Sequence, residues 1–222
     1  MELSRTQLKR NELAEFVGGI AGRIEHNRSL YATIAITVLG AIILSVFFLS
    51  RYHTMTLRAN EKLSYAQALL YNGQGDEASR ILNELVSQYG RTPAAPFARL
   101  VQAEALSRQQ KFEEAANILL PLTKQNKPKH LIPMAIVALA AVQENGGKLD
   151  EAAATCVSFT EKYPEHILTP KVYESLARIH ELKNAPLDAK TVYEKIATLY
   201  PGSGWAARAQ ERLAQLGGSP AK

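Results

Sequence analysis

Along most of this 222-residue chain, four sets of residues recur every 37 positions, which restricts the fold to a stack of like units. Ala66, Ala103, Ala140, Ala177 and Ala214 form one set. Ala78, Ala115, Ala152 and Ala189 form a second, each directly preceded by an acid (Glu77, Glu114, Glu151, Asp188). Leu85, Leu122, Phe159 and Ile196 make a third, and Pro96, Pro133 and Pro170 a fourth. A unit this short cannot bury an apolar face alone, so neighbouring units must stack to make a continuous core.

Each set has a physical reason. No apolar-polar alternation of strand type lasts more than a few residues after residue 50, and Gly and Pro fall between the periodic segments. The units are therefore helix pairs. The first alanine suits a close approach of one helix to its neighbour, and the second does the same early in the following helix. The acid pairs Asp76-Glu77, Glu113-Glu114 and Asp150-Glu151 fall in the first turn of that second helix, where its dipole favours negative charge. The recurring prolines are expected at the first helical position, where a missing N–H costs nothing. Asn72-Gly73-Gln74-Gly75 and Asn145-Gly146-Gly147 supply turns within a pair.

These residues resemble the tetratricopeptide repeat. That family places a small residue on helix A, an Ala twelve positions later at the start of helix B, an apolar residue seven further on, and often a terminal Pro. Pro164 and Pro201 fit the terminal position, whereas Gly90 and Lys127 depart from it. The usual period is shorter than 37, so each connection is lengthened here. The resemblance implies an all-α tetratricopeptide-repeat solenoid of about four repeats within residues 51–216. A final helix, Ser203–Leu216, would act as its polar cap, and 217–222 would be a flexible tail.

A second constraint lies upstream. Ser29 to Ser50 contains no charged residue, and twelve large aliphatic or Phe residues lie between Leu30 and Leu49. On an insertion scale these sum to roughly −4 to −7 kcal/mol, more than the interspersed Thr, Ser and Gly cost. The run is expected to be one transmembrane helix, 29–50, bracketed by Arg28 and Arg51 with Tyr31 and Tyr52 at headgroup depth. It is long and late for a cleaved signal peptide. Residues 1–28 carry Arg5, Lys9, Arg10, Arg23 and Arg28, an excess that favours a cytoplasmic N-terminal tail and a repeat domain on the far side. Leu13, Phe16, Val17, Ile20 and Ile24 share one helical face, as in a juxtamembrane amphipathic helix. Ser29, Thr33, Thr37, Ala41 and Ser45 form a small-residue stripe that would let another helix approach.

The layout of a charged tail, one anchor and a C-terminal repeat domain resembles the ancillary subunit of the bacterial Sec translocon. That resemblance implies the bacterial inner membrane, with the repeats in the periplasm.

Signs of catalysis are missing. Val142 and Leu149 occupy the positions where a phosphate loop around Gly147-Lys148 needs Gly and Ser or Thr. The five histidines form no metal-binding pair, and the single cysteine, Cys156, shares a column with Leu82, Leu119 and Tyr193, as a buried apolar residue would. No catalytic, metal or cofactor residue is assigned. A net charge of only +5 argues against a nucleic-acid partner, and 46 % hydrophobic residues against a disordered chain.

The tetratricopeptide resemblance instead implies a polypeptide partner held along helix A. Its contact columns fall on Asn60, Gln67, Tyr71, Phe97, Glu104, Arg108, Met134, Ala141, Glu174 and Arg178, with Leu63, Leu100 and Val137 shared between contact and packing. The family's clamp for a C-terminal carboxylate needs Asn where Gln67, Glu104, Ala141 and Arg178 stand, so that mode is not expected. The expected role is a membrane-anchored interaction module. The alternative is an architectural subunit in which the anchor helix is the binding element.

Overall fold

The computed structural model describes residues 27–124 and 128–217. Its described residues form nine helices and no strand. They are α1 (Arg28–Tyr71), α2 (Gly75–Tyr89), α3 (Ala94–Arg108), α4 (Phe112–Lys124), α5 (Leu131–Asn145), α6 (Leu149–Lys162), α7 (Thr169–Leu182), α8 (Pro186–Leu199) and α9 (Gly204–Gly217). The proposed amphipathic segment Leu13–Ile24 and the tail after Gly217 lie outside the described residues.

Two compact units divide the chain, 1–54 and 55–222. In the first, the described part is the apolar portion of α1. An 18-residue stretch of that helix has mean hydropathy 2.6 and none of it is buried. By length and composition it can cross a membrane, and a signal sequence has the same character. The hydroxyls of Thr33, Thr37 and Ser45 donate to carbonyls one turn back, on Ser29, Thr33 and Ala41, at 2.7–2.8 Å. Most of the polar groups of the small-residue stripe are thus satisfied within the helix itself.

The second unit is a stack of helix pairs. The end of α1 pairs with α2, then α3 with α4, α5 with α6 and α7 with α8, and α9 closes the series. Its core is four apolar clusters. Each draws on one helix A, its helix B and the next helix A, as with Ala103, Leu119 and Leu139 in the second cluster. The periodic positions are where the packing is tightest. Ala66, Ala103, Ala140 and Ala177 are at most 5 % exposed, and Ala78, Ala115, Ala152 and Ala189 are fully buried. Ala214 breaks its column by being exposed, as no described helix packs beyond α9. Ser203 caps α9, its hydroxyl accepting from the Ala206 N–H at 3.2 Å.

The recurring prolines lie slightly deeper than the sequence led us to expect. Pro96 and Pro133 are third in α3 and α5, and Pro170 is second in α7. The reason is that every N–H of the first turn lacks an intrahelical partner, so Pro is tolerated throughout that turn and the helix starts ahead of it.

The turns within pairs repeat as faithfully as the core. Gly73, Gln110, Gly147 and Asn184 are 37 residues apart, and each has positive φ, between 55° and 77°. The next residue's N–H reaches back five residues each time: Gln74 to Leu69, Lys111 to Leu106, Lys148 to Gln143 and Ala185 to His180, at 2.8–2.9 Å. This is a Schellman ending on α1, α3, α5 and α7, the four A helices that a helix B follows.

Candidate functional site

In the repeat unit, successive A helices touch one another (α3 with α5, α5 with α7, α7 with α9), whereas successive B helices do not. The A helices therefore crowd the inner face, and the groove runs along them. Its volume is about 680 Å³. The floor is apolar, built from Leu63 of α1, Phe97 and Leu100 of α3, Met134 and Val137 of α5, and Leu168 just ahead of α7. Met134 is 46 % exposed, an accessible large apolar side chain of the kind that adapts to varied partners.

Seven of the ten contact residues expected from the sequence line this groove: Gln67, Phe97, Glu104, Arg108, Met134, Ala141 and Arg178. Asn60, Tyr71 and Glu174 do not. Tyr71 ends α1 and is 91 % exposed. Leu168, Lys171 and Ser175 line the groove although sequence reasoning did not place them there. Lys171 stands beside the repeating Pro170, in a first turn whose part in the lining shows only once the helix start is fixed.

The charges are largely used internally. Arg108 pairs with Glu104 across one turn of α3 at 2.6 Å. Arg178 of α7 grips Glu144 of α5 with two hydrogen bonds, 2.6 and 2.9 Å. That bond to Glu144 raises the already high pKa of Arg178. Glu174 is taken by Arg208 of α9 at 2.7 Å. Lys171 is the exception among the groove's described charges, with no carboxylate within 4 Å.

On the turn edge, the acids at the start of α2, α4 and α6 have a second role besides the helix dipole. Asp76 accepts from Gln109 at 3.1 Å, Glu113 pairs with Lys148 at 2.5 Å, and Asp150 pairs with Lys183. Each contact ties one repeat to the turn of the next. No group of three His, Cys, Asp or Glu side chains able to hold a metal occurs among the described residues. Cys156 is buried, its thiol pushed up to about 12, first by desolvation and then by the charge of Glu144, so it stays protonated at neutral pH.

The family model described as "tetratricopeptide repeat-like domain" matches residues 26–195. No curated protein matches the chain. Similar solved structures include nearly identical TPR-like repeats of a kinesin light chain type from Podosopora anserina, 18 % identical, covering 72 % of this chain and 85 % of that one, with a TM-score of 0.60. The apo form of RapI is 14 % identical over 74 % of this chain and 49 % of that one, TM-score 0.64. MamA from Desulfovibrio magneticus RS-1 is 18 % identical over 71 % and 82 %, TM-score 0.55. At these identities the likeness is one of fold.

Proposed function

The chain belongs to the tetratricopeptide repeat-like domain family, and from that premise we propose that it is a membrane-tethered module whose inner groove holds a segment of another polypeptide. The observation that carries this reading is the accessible apolar floor along the A helices. A groove lined by parallel helices with few free charges suits an amphipathic helix or an extended strand of protein.

For the tether, support comes from the uncharged apolar stretch of α1, none of which is buried. The proposed span is 29–50, with the N-terminus cytoplasmic and the repeats beyond the bacterial inner membrane. Tethering would confine the groove to partners at that surface and raise its effective concentration over them. An ancillary role at the Sec translocon fits this layout, with secreted chains or envelope-assembly proteins as the occupants.

The test is a photo-crosslinking amino acid placed at Phe97 or Met134 in native membranes, with Tyr71 as the position outside the groove. Adducts with translocon components or secreted chains from the groove positions alone support the reading. Adducts only from within 29–50 would support the architectural alternative and overturn the groove as the working surface. Alkaline carbonate extraction tests the tether directly, since release into the soluble fraction contradicts it.

A further inference from the structure

We propose that the occupant of this groove is an apolar segment carrying a carboxylate, which Lys171 receives at the end where the A helices begin; the inference rests on the groove reading above. Three observations converge. The floor beneath is apolar, from Leu100, Met134, Val137 and Leu168. The other charged groups of the lining are already neutralised, Arg108 by Glu104 and Arg178 by Glu144, so they offer an incoming peptide little free charge. Lys171 alone among the described lining residues has an ammonium group with no acidic partner.

The setting reinforces the sign. Lys171 is the third residue of α7, near the positive end of that helix's dipole, where a cation is unfavourable in the free protein. The A helices α3, α5 and α7 have no acid in their first turns, whereas α2, α4, α6 and α8 all do. Positive potential is thus neutralised at the B-helix starts and left standing at the A-helix starts, beside the groove. A carboxylate there would gain from Lys171 and relieve its unfavourable position, while a basic group would be repelled. A purely apolar ligand would gain only from the floor.

The experiment uses the full chain in lipid nanodiscs as bait for a random twelve-residue peptide library, followed by affinity measurement of one synthetic selected peptide. The expected selection is a cluster of Leu, Phe or Met with Asp or Glu at a fixed offset. Replacing that acid by its amide should weaken binding to the wild type by about threefold to fivefold, the usual size for an exposed ion pair, and leave binding to Lys171→Ala unchanged. Lys171→Glu should invert the preference towards Lys or Arg. An equal loss on wild type and Lys171→Ala would overturn the carboxylate assignment while leaving the groove intact. Binding indifferent to both Met134→Arg and Phe97→Ala would overturn the groove itself. Lys171 is exposed, and an unchanged helical circular dichroism signal shows that its variants remain folded.

Discussion

Arg178 and Glu144 sit 34 residues apart on adjacent A helices and meet through two parallel hydrogen bonds, with the Glu144 side chain only 8 % exposed and Arg178 half exposed. The pair stitches the third repeat to the fourth at the groove's edge. It is asymmetric: the carboxylate depends on the guanidinium far more than the reverse.

Removing Arg178 should therefore cost more than removing both partners. Arg178→Ala leaves a nearly buried carboxylate unpaired, a loss of about 1–3 kcal/mol. In Glu144→Gln/Arg178→Met the charge is gone, and most of that loss should be recovered. Urea unfolding midpoints of the three variants check the order; a double variant worse than Arg178→Ala would contradict it.

The alanine columns make a prediction within themselves. Ala140 is 5 % exposed and packs between repeats, so Ala140→Leu should overpack the interface and destabilise by about 1–3 kcal/mol. Ala214 occupies the same column but faces solvent, and Ala214→Leu should stay within about 0.5 kcal/mol of wild type. Thermal unfolding of the two variants decides, since equal effects would mean that the column is set by helix propensity and not by packing.

Lys62 donates to Glu84 at 2.8 Å, pinning the first helix A to its helix B, and this hydrogen bond holds Glu84's carboxyl below its ordinary value of 4.5. A carboxyl lowered in the folded state stabilises above its unfolded pKa, and that contribution disappears as pH falls through the lowered value. The wild type should thus unfold at a higher temperature than Lys62→Met at pH 7, and the gap should close as the pH falls through that lowered value. A gap that persists in acid would show that Lys62 acts through its aliphatic stem.

The thiol of Cys156 offers a probe of the third cluster. With 1 % exposure and a pKa near 12, it should resist iodoacetamide at pH 8 in the native protein and react promptly in guanidinium. Rapid native labelling would mean that α6 opens locally.

How much was legible depended on whether a position's environment repeats. Ala103 and Ala140 meet the same neighbour in successive units, so one residue type was selected and the period showed through. Arg178 and Glu144 were not foreseeable as a pair, because 34 residues is off the 37-residue register and long side chains reach to partners that vary. Among the turn-edge donors, Gln109 and Lys183 keep the register but differ in type, and Lys148 stands two places beyond the register position, which Gly146 occupies without a side chain. The αL column was hidden for another reason: two of its four members are not glycine.

That column supports the sharpest backbone prediction. Gly147 has φ of +76° and open space where a Cβ would project, so Gly147→Ala carries only the left-handed penalty, about 1–2 kcal/mol. Gln110 already bears that penalty at φ 61°. Gln110→Gly should remove it at the expense of about 0.5–1 kcal/mol of chain entropy, a net gain of about 0.5 kcal/mol. Asn184→Gly, at φ 55°, should be near neutral, because Asn tolerates this conformation. Gly146→Ala should be costly for a different reason, since its Cβ would lie 3.0 Å from that of Phe112. Denaturant midpoints should rank Gln110→Gly above wild type, Asn184→Gly beside it and Gly147→Ala below. A destabilised Gln110→Gly would mean that the side chain's own contacts outweigh its backbone strain.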